Sequence, residues 1–300
     1  MRLSRLLLLP VAALSVAACS DDDDVSVNAR PPLGGVRFIN AVPDMRPFDI
    51  RMIDQVQWSA SSVNEGNYGL AYRAGTVHWA TEAKARPIRV FPADSNIAVA
   101  SRILLDQTIT IEPNKNVTLM LVPGPRTSAT DSVAIVVIDD TPPTLSGQQI
   151  AARAVNAGVT GGIAAYLTAT TTTALAGTPT WTVTDGFGAG SPYVVRDTGT
   201  FAVRAAARTA ATTAIASATA PAGEPATENV GALAGFRAAG SALSAYVFPR
   251  ACPTATLPIT VANCPAAAGS SASTRTAYGA PGVVWFVDLI PLPPSGRPTP

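Results

Sequence analysis

One histidine and a handful of aspartates are the residues in this chain best suited to acid, base or metal chemistry. His78 is the only histidine, so no site built from several imidazoles is available to a metal. As a general base it would need a nucleophile and an orienting acid, and nothing near it in sequence supplies either. It stands beside Trp79 in a strand-like run and reads as a solvent-facing strand residue. Asp44, Asp49, Asp139 and Asp140 fall near expected strand ends, where oxygen ligands could gather round calcium. Their spacing matches no calcium loop, and turn-forming aspartates account for them. Trp58, Tyr68, Tyr72, Trp79, Trp181 and Tyr193 could form a surface on which sugars stack, although aromatics at strand spacing more often fill a core. Gly-x-Ser-x-Gly elbows, phosphate-binding loops and dinucleotide fingerprints are absent. The reading at this level is a protein with no catalytic residues, no metal and no cofactor.

The remaining chemistry belongs to cysteine. Arg2 and Arg5 precede an apolar run from Leu6 to Ala13, interrupted at Pro10. A bilayer span needs about 20 apolar residues, so this run has the layout of a removable export signal. Val16-Ala17-Ala18-Cys19 resembles the bacterial lipobox, with valine where leucine is commoner, and the resemblance makes Cys19 the lipid acceptor. An ordinary secretory cut after Ala18 is the alternative. Asp21 to Asp24 repel one another and begin a solvated tether that runs to the Pro31-Pro32 pair. The expected address is the bacterial cell envelope, anchored through lipid at the outer membrane and facing either the periplasm or the surface. In an exported chain Cys252 and Cys264 are most simply a disulfide, the alternative being two free thiols.

What must position these residues is a set of short strands. Among 300 residues only 14% are charged and the formal net charge is +1, which gives no electrostatic basis for nucleic-acid binding. Valine, threonine and alanine with frequent glycine and proline suit many strands and turns. From Val36, alternation puts Val36, Phe38 and Asn40 on one face and Arg37 and Ile39 on the other. Strand-like runs follow at 48–53, 75–79, 87–91, 108–111, 117–122 and 132–138, the last nearly all apolar and expected in the middle of a sheet. Seven or so strands in about 105 residues is the count of an immunoglobulin-like sandwich.

The pattern then repeats. Arg153-Ala154-Val155-Asn156-Ala157 echoes Arg37-Phe38-Ile39-Asn40-Ala41, and Gly199-Thr200 echoes Gly75-Thr76. Leu243 to Pro249 echoes Val117 to Pro123, and Val283 to Asp288 echoes Val133 to Asp139. The expected organisation is a signal over 1–18, a lipidated tether over 19–34, one sandwich over 35–142, a second over 149–291, and a Pro-rich disordered tail over 292–300. The second sandwich carries a cysteine-containing insertion from Arg250 to about Gly282.

Val36 to Ile50, with its Val-Arg-Phe-Ile-Asn-Ala-Val-Pro-Asp start and Phe48-Asp49-Ile50 strand, together with Asp139-Asp140-Thr141-Pro142-Pro143, resembles the bacterial extracytoplasmic domain of unknown function 4397. The second copy keeps Arg153 and Asn156-Ala157 but lacks the Pro-Asp turn. The resemblance brings no assigned chemistry. The function expected is that of a non-enzymatic envelope lipoprotein, structural, adhesive or interacting, partnered by the membrane through its lipid and by an envelope polymer or protein. A glycan- or peptide-binding protein is the alternative, and an unrecognised hydrolase a more distant one.

Overall fold

The computed structural model describes residues 31–43, 47–54, 69–124, 133–225, 227, 231–250 and 279–290. The expectations for Cys19, Cys252, Cys264, Asp44, Trp58, Tyr68, the signal and the tail lie outside these residues. The chain is all-β, as expected, and forms two sandwiches in tandem. The first contains β1 (Leu33–Asn40), β2 (Phe48–Met52), β3 (Trp79–Glu82), β4 (Ala85–Pro92), β5 (Leu105–Thr110), β6 (Asn116–Pro123) and β7 (Val133–Asp139). The second contains β8 (Gln149–Asn156), β9 (Ile163–Thr168), β10 (Trp181–Val183), β11 (Val194–Asp197), β12 (Ala202–Ala207), β13 (Ala214–Thr219), β14 (Ala242–Phe248) and β15 (Gly282–Leu289). Sheet orders are β3-β1-β6-β7 and β2-β4-β5 in the first sandwich, and β11-β8-β14-β15 and β10-β9-β12-β13 in the second.

In each copy the first strand runs parallel to a strand far along the chain, β1 to β6 and β8 to β14, while the other pairings are antiparallel. These strands are buried on both faces, which explains their nearly unbroken apolar character. One face of β1 and β6, with Val36, Phe38, Leu119 and Leu121, meets Ile50 and Ile88 of the small sheet. The corresponding face of β8 and β14 packs on β9, β10 and β12. The second core draws heavily on alanine, including Ala152, Ala154, Ala165, Ala205 and Ala245, and Trp181, Phe236 and Trp285 supply bulk. Phe236 and Trp285 meet edge to face at 5.2 Å.

The outward faces of the sheets β3-β1-β6-β7 and β11-β8-β14-β15 pack on each other. Ile39, Met120, Val122 and Ile138 from the first copy form one buried cluster with Val155, Tyr246 and Phe248 from the second. The layers therefore run from the three-stranded sheet through three four-stranded ones, and the described residues from Leu33 onward belong to one compact unit. The backbones come close enough at this seam that Gly75 lies under the Phe286 ring, where a Cβ would sit 2.5 Å from Cε1. Gly75→Ala is expected to lower stability by about 1–3 kcal/mol, as overpacking does. An unchanged urea midpoint for that variant would contradict so tight a seam.

Three expectations need correcting. β7 is an edge strand, not a central one; it is apolar on both faces because one faces its own core and the other faces the seam. The counterpart of Gly75-Thr76 is Gly190-Ser191, not Gly199-Thr200. Gly75 bridges Ile39 and Gly190 bridges Val155, while the Thr76 and Ser191 hydroxyls accept from the backbone N–H of Phe38 and Ala154. The counterpart of Asp288 is Asp140, not Asp139. Thr118 faces Ile138 and Ser244 faces Phe286, so two residues further on Asp140 aligns with Asp288.

Candidate functional site

At the centre of the seam lies a sealed set of ionisable side chains: Arg37, Asp140, Arg153 and Asp288, between 0% and 6% exposed. Two positive and two negative charges balance there, as buried charges must. Each arginine projects from the middle of the first strand of its copy, on the face opposite the core. Arg37 Nε donates to Thr118 Oγ1 at 2.6 Å, and Arg153 Nε donates to Ser244 Oγ at 2.7 Å. Each of those hydroxyls donates to the carboxylate of its own copy, Thr118 to Asp140 and Ser244 to Asp288.

The far ends of the guanidinium groups cross over. Arg37 donates to Asp288 Oδ1 at 2.7 Å and to the Val287 carbonyl at 3.0 Å, both in the second copy. Arg153 donates to Asp140 Oδ1 and to the Asp139 carbonyl, both in the first. Such reciprocity, in which each partner offers the same groups to the other, is what a two-fold interface has, here built into one chain. The planar fork of arginine suits this role because one end is held by the neighbouring parallel strand of its own copy while the other reaches two acceptors. Aromatic rings close the set. Arg37 lies over Tyr246 and Phe286 at 5.6 and 5.3 Å, and Arg153 over Tyr193 at 4.6 Å.

The two halves differ in what meets each carboxylate at the position third after the matched glycines Gly75 and Gly190. His78 Nε2 lies 3.0 Å from Asp140 Oδ2, whereas the Tyr193 hydroxyl donates to Asp288 Oδ2 at 2.9 Å. The single histidine thus has an acid beside it after all and is largely covered; it follows a bridge at Gly75 and precedes β3 rather than lying in a solvent-facing strand. The difference reaches the carboxylates. Burial pushes Asp140 up, but the His78 hydrogen bond, the Arg37 and Arg153 charges and the Thr118 hydroxyl outweigh it and hold the carboxyl below its ordinary value. Asp288 is held above its ordinary value by burial and by the Asp140 charge, against the opposing arginines and the Ser244 hydrogen bond. Burial also pushes the Tyr246 hydroxyl up to about 12, so it stays protonated.

Asp140, with its folded value depressed, contributes stability that is present above its unfolded value of about 3.9 and is lost as pH falls through the lower folded value. Asp288 acts in the opposite sense, because its folded state takes up a proton first. His78→Ala removes the foremost of the groups that depress Asp140, so the acid limb of the stability curve is expected to move to higher pH. Thermal melting between pH 3 and 7 measures this, and an unmoved acid limb would count against the His78–Asp140 contact.

The Asp49 and Asp139 carboxylates stay apart from this set. Asp49 faces Arg51 at 3.7 Å, and Asp139 accepts from the Thr141 N–H in a turn, the role a turn-forming aspartate has. Among the described residues no three His, Cys, Asp or Glu side chains are grouped to hold a metal. The described aromatics of that group do not share a surface either. Trp181 is in the second core, Trp79 packs on Phe38 at 5.4 Å, Tyr72 meets Phe248 in the seam, and Tyr193 serves Arg153 and Asp288. Sequence reasoning missed the buried set, although Arg37 and Arg153 marked the repeat. A charged residue placed twice inside an otherwise apolar strand was the signal available.

No curated protein matches the chain. Residues 34–166 match the family model described as domain of unknown function (DUF4397), a stretch that holds Arg37, His78, Thr118, Asp140 and Arg153 and ends within β9. Across the first sandwich and the opening strands of the second, the chain is similar to the DUF4397 domain.

Proposed function

We propose that the protein is a non-enzymatic lipoprotein of the bacterial cell envelope whose two sandwiches work as a single stiff interaction module. The observation that carries this reading is the reciprocal exchange of Arg37 and Arg153 between the copies, which commits the central ionisable groups to holding the halves together. A group so sealed and so fully hydrogen-bonded favours a structural role over proton transfer to a substrate. The lipobox-like Val16-Ala17-Ala18-Cys19 supports an anchor at the envelope, with the acidic tether setting the module off the membrane surface. The partners on this reading are the membrane, through the lipid, and an envelope polymer or protein.

Radiolabelled palmitate is expected to enter the wild-type protein and to be absent from Cys19→Ala, which is released from the membrane fraction. Each buried CH₂ of an acyl chain adds about 0.8 kcal/mol, so loss of the chains removes the main hold. Membrane retention of an unlabelled wild-type protein would overturn the anchor.

A further inference from the structure

A shallow groove of about 380 Å³ opens beside the buried charges, lined in part by Gly35, His78, Trp79, Asn114 and Asn116. That volume falls in the range of small-molecule sites, about 300–1,000 Å³. We propose that this groove binds a neutral saccharide, an assignment that rests on the envelope interaction module above and names its ligand class.

The two copies supply the comparison that carries the inference, since the same scaffold is present twice. Gly35 pairs with Asn116 across β1 and β6, and the matching pair across β8 and β14 is Ala151 with Ala242. A Cβ on Gly35 would lie 2.1 Å from Asn116 Oδ1, so the glycine is what lets the carboxamide lie across the strand. Trp79 pairs with Val36 where Val194 pairs with Ala152. Asn114 donates its N–H to the Leu33 carbonyl just as Gly240 donates to Gln149. Both have left-handed backbone, with φ of 59° and 83°. Glycine takes that conformation without cost, and the first copy instead keeps an exposed asparagine there. At four matched places, then, the first copy carries a carboxamide, an indole or a glycine that admits one, and the second carries only alanine, valine or glycine.

The chemistry of these groups favours hydroxyls. Carboxamides offer both a donor and an acceptor, and an indole offers an apolar surface with a donor at its edge. His78 Nε2 lies 3.0 Å from Asp140 Oδ2, which fixes the ring where it lines the groove beside Trp79. Among the described residues no Asp, Glu, Lys or Arg lines the groove, which favours a neutral ligand over a charged one.

The test uses the full-length protein in detergent and nitrogen–proton correlation spectra, with chitotetraose, maltotetraose and cellotetraose as probes and trialanine for comparison. At about 10 mM, tenfold above a Kd of about 1 mM, at least one saccharide is expected to shift the Trp79 indole and Asn114 carboxamide signals. Asn114→Gly and Trp79→Val install the residues of the second copy and are expected to weaken that binding by about tenfold each. Asn114→Gly suits the left-handed backbone, so it remains informative if Trp79→Val folds poorly. Silence from all three saccharides, shifts that survive Asn114→Gly unchanged, or shifts from trialanine alone would overturn the assignment. Palmitate labelling of the same preparation separates the two readings. Labelled protein with no shifts would remove the groove alone, and shifts on unlabelled protein would uphold the groove while removing the anchor.

Discussion

Asp140→Ala is expected to destabilise the protein by about 3–5 kcal/mol, a large part of the roughly 5–15 kcal/mol that holds a typical domain. The carboxylate is 0% exposed and receives Arg153, Arg37, Thr118 and His78. Removing it leaves two buried guanidinium groups facing the single charge of Asp288. The cost comes from that unbalanced charge, not from the strength of any one contact. Replacing Arg37, Asp140, Arg153 and Asp288 together by apolar residues of similar volume is therefore expected to cost far less than the single change, because no charge is then left in the seam. Urea unfolding of the two variants gives the comparison. A loss below about 1 kcal/mol for Asp140→Ala would mean that water reaches the arginines and that the set is not sealed.

Phe248→Ala is expected to cost a similar amount, about 3–5 kcal/mol, by a different route. The ring is 0% exposed, stacks near Tyr246 at 6.4 Å and takes the edge of Tyr72 from the first copy at 5.9 Å. Truncation opens a cavity between sheets that belong to different copies, so the loss falls on the joint and not on either core. Unfolding followed separately through the Trp79 and Trp285 environments is expected to show one shared transition in the wild type and two in the variant. Coincident transitions in Phe248→Ala, at an unchanged midpoint, would show that the seam contributes little.

Much of the strand pattern was legible because alternation is local. Val36 and Phe38 face one core, Ile39 faces the seam, and this follows from the two-residue period of a strand. The repeat was legible in Arg-x-(Ile/Val)-Asn-Ala, and the structure shows why its asparagines recur. Asn156 accepts from the Gly158 and Val159 N–H groups, and Asn40 accepts from Val42, so each side chain fixes the turn that leaves its strand. Strand order was not legible, since an edge strand such as β7 is as apolar as a central one when a second sandwich covers its other face. Nor was the match of Gly75 with Gly190, because only the bridge partners distinguish it from Gly199. The charge exchange was the least visible feature. Arg37 meets an acceptor 251 residues away, and arginine is ordinarily solvated, so sequence neighbours could not disclose its burial. The environment of His78 was hidden for the same reason, with its carboxylate 62 residues distant.

The parallel pairing of β1 with β6, and the exchange across the seam, also bear on the order in which the chain can become native. Arg37 meets Thr118 at a separation of 81 residues and Asp140 at 3.2 Å within the first sandwich, but reaches Asp288 only at 251, so the first sandwich can be assembled well before the exchange across the seam is complete. Contacts this remote make for slow folding, and until β15 arrives the seam holds Arg37 and Arg153 against the single carboxylate of Asp140, leaving one unmatched charge among apolar strands. That charge hinders premature association with other apolar surfaces, much as an inward-pointing charge guards a sheet edge. β15 thus closes the molecule twice over, by completing a sheet and by supplying the last counter-ion.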